Sequence, residues 1–155
     1  DDNQATMQSI EAFIAKQRLE GELGLIVVDY LQLLSSPGHD SRVQEVSHIS
    51  RSLKAIAMNY DVPVLALSQL NRALESQNRN PMLSDLRESG SIEQDADCVL
   101  LLHRETEADP ISDDIICNVA KNRNGELRAA KLTFTKPTGR FSTRVDARLH
   151  DKKPF

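Results

Sequence analysis

Four places in this chain of 155 residues hold residue types whose spacing could do chemistry. Asp29 directly follows the apolar run Leu25-Ile26-Val27-Val28. A lone carboxylate at the end of such a strand can hold a Mg²⁺-bound water beside a nucleotide phosphate. The plainer alternative is an acid that caps the next turn. Gln69, with Ser68 before it, ends a second apolar run, Val64-Leu65-Ala66-Leu67. Its amide can sense a terminal phosphate by hydrogen bonding, or simply be solvated. The third place is the segment from Asp85 to Asp97, where Gly90 stands between Ser89 and Ser91, shortly after Arg87 and Glu88. Glycine beside serine and arginine lets backbone N–H groups approach a phosphate closely. Equally, this is a surface loop leading into a helix capped by Ser91, with Gln94 completing a capping box. The fourth is Lys121-Asn122-Arg123-Asn124-Gly125. Two cations separated by one residue point the same way on an extended strand and can reach one phosphate; the alternative is a basic hairpin turn bent at Asn124-Gly125.

These residues need a scaffold, and the periodicity supplies one. From Thr6 to Glu20, Ile10, Phe13, Ile14 and Leu19 recur near helical spacing, and Gly21 and Gly24 close the element. The run ending at Asp29 predicts a strand covered on both faces, as in parallel sheets. After a polar loop from Ser35 to Ser41, a second helix extends to about Asn59, with Val43, Val46, Ile49, Leu53, Ile56 and Ala57 on one face. Asp61-Val62-Pro63 breaks it before the run ending at Leu67. The polar stretch from Asn71 to Pro81 predicts an exposed connection, and Cys98 to Leu102 a third buried strand. Further on, Ile115 to Val119, Lys131 to Phe134 and Arg140 to Val145 predict short strands, the last two turned by Lys136-Pro137-Thr138-Gly139. Strands alternating with helices predict an α/β fold with a mainly parallel sheet and a β-rich carboxyl end.

Composition bounds the possibilities. With 39% hydrophobic and 27% charged residues, the chain reads as globular, with no apolar run long enough to cross a bilayer. The net charge of −4 excludes a globally basic nucleic-acid binder, so any grip on DNA must be local. The absence of tryptophan argues against a base-stacking platform. Cys98 and Cys117 lie inside apolar runs and read as buried thiols of a reducing compartment, the cytoplasm by default. His39, His48, His103 and His150 are scattered without metal-ligand spacing.

Taken in order, Ile26-Val27-Val28-Asp29-Tyr30-Leu31-Gln32, then Glu45 to Lys54, then Leu67-Ser68-Gln69-Leu70-Asn71-Arg72, then the Asp85–Asp97 segment resemble the DnaB-type replicative DNA helicases. The likeness runs from about Leu23 to Phe141. It implies part of a RecA-like P-loop ATPase core that uses ATP and Mg²⁺. It also implies a homo-hexameric ring that moves along single-stranded DNA and unwinds the duplex, with a primase and a helicase loader as partners and no membrane. On that likeness Asp29, in a Walker B-like strand, serves Mg²⁺, and Gln69 couples the nucleotide to the DNA-binding loops. Arg87, Glu88 and Gly90 line the channel and contact the DNA backbone. Lys121 and Arg123 act as fingers toward the neighbouring subunit's ATP. Two features depart from the family pattern. No Gly-x-x-x-x-Gly-Lys-Ser/Thr loop occurs, and Glu126-Leu127-Arg128 stands where the family more often has a proline and another glycine. The expectation is that residues 1–146 form the carboxyl-terminal half of a motor domain followed by a charged tail, 147–155, and that the chain alone is inactive. Two other readings stand beside it: a different RecA-like ATPase, and a non-catalytic module for DNA binding or ring assembly.

Overall fold

The computed structural model describes residues 5–71, 74, 77, 79–86, 90–104 and 113–143. They fall into two compact units. One comprises Asp1–Gln77 with Met82–Asp97, the other Asn78–Pro81 with Cys98–Phe155. The expected tail, 147–155, lies outside the described residues.

In the first unit, helix α1 (Met7–Glu20) starts where Thr6 and Ser9 cap each other reciprocally, each side-chain oxygen accepting from the other's backbone N–H at 3.2 and 3.0 Å. Gly21 ends it, its N–H donating to the Gln17 carbonyl. Met7 and Ile14 are the buried positions, whereas Phe13 and Leu19 face outward, against the expectation from spacing alone. Strand β1 (Ile26–Val28) leads through a one-turn 3-10 helix (Leu31–Leu33) to helix α2 (Arg42–Tyr60), capped by Ser41. The helix stops at Asp61, which takes the left-handed conformation (φ 51). Val46, Ile49, Leu53 and Ile56, on one stripe of α2, form the centre of the core, with Val46 and Ile49 fully buried. Each such side chain contributes about 1.5–3 kcal/mol by leaving water. Val43, expected on this stripe, is half exposed.

Strand β2 (Val64–Ala66) pairs parallel with β1, Val27 opposite Leu65. The two strands share a face on which Val28 is buried, but Val27 is 56% and Leu65 49% exposed. The expected cover on both faces is therefore present on one only. Leu25 and Leu67, one pleat away on the same open face, are exposed too. Helix α3 (Gly90–Asp95) packs on α2, where Ser50 Oγ donates to Asp95 Oδ2 at 2.7 Å and Lys54 pairs with Asp97.

The second unit is an antiparallel meander in the order β3 (Cys98–Arg104), β4 (Asp114–Asn122), β5 (Ala129–Thr135), β6 (Arg140–Thr143). The third apolar run, β3, pairs antiparallel with β4. Its burial alternates, with Val99 and Leu101 inside and Leu100 and Leu102 out. A one-sided antiparallel strand has that pattern. Cys98 follows the open face and is exposed, and Cys117 is half-buried; both are free thiols, so neither is the buried hydrophobe expected. The predicted hairpin at Lys136–Thr138 is present, with Gly139 at φ +63 closing the turn. Phe134 and Phe141 stack across it at 4.7 Å. No described helix is long and apolar enough to cross a membrane.

Candidate functional site

Neighbouring parallel strands end on the same edge, and that edge brings Asp29 and Gln69 together. Beyond the last ladder pair the two chains stay joined: Leu67 N–H donates to the Val28 carbonyl at 2.9 Å, and Leu31 N–H to the Leu67 carbonyl at 2.9 Å. Asp29 lies between these bonds, exposed, and its peptide bond to Tyr30 is cis. Such a single open carboxylate fits a hydrated Mg²⁺, which keeps most of its waters and takes one or two protein carboxylates beside substrate phosphates. Among the described residues no group of three or more His, Cys, Asp or Glu could hold a metal ion unaided.

Gln69 is held from behind by a residue that spacing did not single out. The Gln32 side-chain amide donates to Ser68 Oγ at 3.0 Å, and its oxygen accepts from Gln69 N–H at 3.3 Å. Gln32 itself sits in the 3-10 turn anchored by buried Leu31. Its carbonyl accepts from Arg42 Nη2 at 2.9 Å, while Arg42 Nη1 reaches the Leu34 carbonyl at 3.2 Å and Glu45 at 2.6 Å. Glu45 also accepts from Ser36 N–H at 2.8 Å. That backbone bond, helped by the Arg42 guanidinium, holds the Glu45 carboxyl below the usual carboxylate range. The sequence did carry a hint, since Gln32 stands three residues after Asp29 in the quoted motif, but the contact to Ser68 spans 36 residues and no local pattern encodes it.

Past Gln69 the chain meets the third predicted place. Leu70 forms an antiparallel bridge with Leu86, and Asn71 N–H donates to the Asp85 carbonyl at 2.8 Å. Asp85 is buried, its carboxylate accepting from Met82 N–H at 2.7 Å. Arg87 and Glu88 lie outside the described residues. Gly90 is exposed at the start of α3, and a Cβ there would meet nothing within 4 Å. The expected Ser91 cap is not formed: Ser91 falls inside α3, where its hydroxyl is buried without a hydrogen-bond partner among the described residues.

Lys121 and Arg123 belong to the second unit. Lys121 is in β4 opposite Val99, but Arg123 has already entered the turn, so the pair does not share one extended register as expected. The turn is organised by Asn122, whose Oδ1 accepts from Asn124 N–H at 3.3 Å and whose Nδ2 donates to the Glu126 carbonyl at 3.4 Å. Gly125 allows this, because a Cβ there would stand 2.7 Å from Asn122 Nδ2. At the departure from the family pattern, Glu126 and Arg128 form an exposed ion pair at 2.6 Å. Two histidines read as scattered come together instead: the His39 and His48 rings lie 4.9 Å apart, both bonded to Ser36.

Comparison with known proteins gives the family of the chain. Residues 1–143 match the family described as the DnaB-like helicase C terminal domain. The chain is 47% identical over 141 residues to the replicative DNA helicase DnaB of Geobacillus stearothermophilus, covering 87% of this chain and 31% of that one. It is 46% identical over 141 residues to the replicative DNA helicase DnaC of Bacillus subtilis (strain 168), with the same shares covered. It therefore spans about a third of the length of the curated relatives it matches. Among solved structures, a DnaB-like replicative helicase studied for its interactions with primase superposes with a TM-score of 0.81 at 38% identity, over 88% of this chain and 34% of that one. A solved ATPase domain gives 0.82 at 38% identity, over 91% and 52%. A fold shared at that level, with a family match that runs through both units and across the Asp29–Gln69 edge, places the chain: it belongs to the DnaB-like helicase C-terminal domain family.

Proposed function

We propose that this chain is the sensing and transmitting part of an ATP-driven replicative DNA helicase motor. One observation carries the reading: the edge that presents Asp29 and Gln69 continues, one residue later, into the Leu70–Leu86 bridge that begins the Asp85–Asp97 segment. Asp29 serves Mg²⁺ through water, and Gln69 reads the γ-phosphate of ATP. Arg87, Glu88 and Gly90 meet the phosphates of single-stranded DNA. Lys121 and Arg123 reach the ATP of the adjacent subunit in a homo-hexamer and offset the charge that builds on the transferring phosphoryl group. The likeness to a helicase studied with primase supports a primase partner; a loader is proposed with it. Free Cys98 and Cys117 suit the cytoplasm as the place of work.

The chain holds no glycine-rich phosphate loop of the Gly-x-x-x-x-Gly-Lys-Ser/Thr kind. Triphosphate binding in this reading comes from another part of the motor, and that part covers the open face formed by Leu25, Val27, Leu65 and Leu67. The test replaces the matching segment of the full-length Geobacillus relative with this sequence. In that ring Gln69→Ala is expected to lower DNA-stimulated ATP turnover about tenfold or more, and to lower turnover without DNA much less. Undiminished stimulation and unwinding in Gln69→Ala overturns the assignment.

A further inference from the structure

We infer that Gln32 is a positioning residue for Gln69, a two-armed clamp that holds the Gln69 backbone against the strand carrying Asp29. The inference rests on the proposed reading of Gln69 as sensor. The geometry is specific. One arm donates to Ser68 Oγ at 3.0 Å and the other accepts from Gln69 N–H at 3.3 Å, so a single planar amide holds two successive residues of the β2 end. Gln69 is exposed. The rotamers open to a side chain depend on its backbone angles, so holding the Gln69 backbone narrows the directions in which its amide can point. The clamp supplies that restraint and is itself restrained, because Arg42 binds the Gln32 carbonyl at 2.9 Å and buried Leu31 precedes it. Gln32 also follows Asp29 by one short turn, so movement at the Mg²⁺-serving carboxylate and movement at the sensor are joined through one side chain. From Gln69 the chain runs directly to the Leu70–Leu86 bridge, which extends the same restraint toward the segment proposed to meet DNA.

The chemistry predicts which replacements serve. Glutamate can keep both contacts: its oxygens accept from Gln69 N–H, and the Ser68 hydroxyl, which accepts in the present arrangement, turns to donate. Methionine keeps the length and loses both. In the full-length ring carrying this sequence, Gln32→Met is expected to lower the maximal DNA-stimulated turnover by roughly three- to tenfold, the size set by one or two neutral hydrogen bonds. The KM for ATP should stay within about twofold, because the triphosphate is bound elsewhere. Gln32→Glu is expected to restore most of the rate, and amide hydrogen exchange in the peptide spanning Leu67–Asn71 should quicken in the methionine variant and not in the glutamate one. The companion variant Gln69→Ala separates the two claims. If Gln69→Ala is defective while Gln32→Met turns over at the full rate with unchanged exchange, the clamp is wrong and the sensor stands. If Gln69→Ala is fully active, the sensor reading falls and the clamp falls with it. A Gln32→Met ring that loses rate and raises KM together, with no recovery in Gln32→Glu, also overturns the inference, since a general loss of structure behaves that way.

Discussion

The strand pairs β1–β2 and β3–β4 look alike in sequence, each built on short apolar runs, and they solve different problems. The parallel pair packs one face on α2 and leaves Leu25, Val27, Leu65 and Leu67 open on the other. A two-stranded sheet of this kind is not self-sufficient, because parallel sheets are normally covered on both faces. The antiparallel set pairs four strands in sequence order, and its burial alternates along β3, with Val99 and Leu101 inside and Leu100 and Leu102 out. The proposed functional groups differ in the same way. Gln69 is held by contacts between residues far apart in sequence, and Asp29 sits between two long-range backbone bonds. Arg123 is placed by a local turn that Asn122 and Gly125 build within a few residues. Strand ends in the first unit depend on the global fold; the turn in the second depends mainly on itself.

Three measurements break or sharpen that contrast. The largest expected effect is at the locally built turn. In the full-length ring, Arg123→Ala should lower maximal ATP turnover about 10³-fold with little change in nucleotide affinity, as for fingers acting in the transition state. Unchanged turnover would reduce the turn to a structural hairpin. Next comes the core beneath the parallel pair. Ile49→Ala, fully buried on α2, should destabilise the protein by roughly 3 kcal/mol in denaturant unfolding. Leu100→Ala, half exposed on β3, should cost far less; equal losses would erase the distinction between a deep core and a one-sided sheet. The smallest effect concerns Glu45. Its carboxyl is more acidic folded than unfolded, so the stability it adds is fully present above the ordinary glutamate pKa of about 4.3 and is lost as pH falls through the lowered folded value. Wild type and Glu45→Gln should therefore differ in melting temperature at neutral pH and converge in acid. A gap that widens on acidification would show the sign to be wrong.

Much of the frame was legible because its signals are local. The start of the second helix after Ser41, the stripe Val46, Ile49, Leu53 and Ile56, the break at Asp61 and the turn at Gly139 are each encoded within a few residues. The positions of Asp29 and Gln69 at strand ends followed from the same runs. What escaped was non-local. Nothing near Cys98 announces that its strand pairs antiparallel with β4, since an apolar run has no direction. The exposure of Val27 and Leu65 escaped for a related reason: hydrophobicity states a need for cover and not where the cover comes from. Gln32 was visible as a letter in a motif, but its partners lie 36 and 37 residues away. Ser91 misled, because a serine ahead of a helical run reads as a cap whether or not the helix begins one residue earlier.

The turn after β4 has a consequence for how this sequence can drift. Its glycine and asparagine occupy one volume: a methyl group on Gly125 would stand 2.7 Å from the Asn122 amide. That amide in turn spans the turn from Asn124 to Glu126. A larger residue at 125 pushes the Asn122 amide aside, and the displaced amide surrenders the bonds that shape the turn carrying Arg123. The two positions are thus coupled, because a change at either is felt through the same pair of hydrogen bonds.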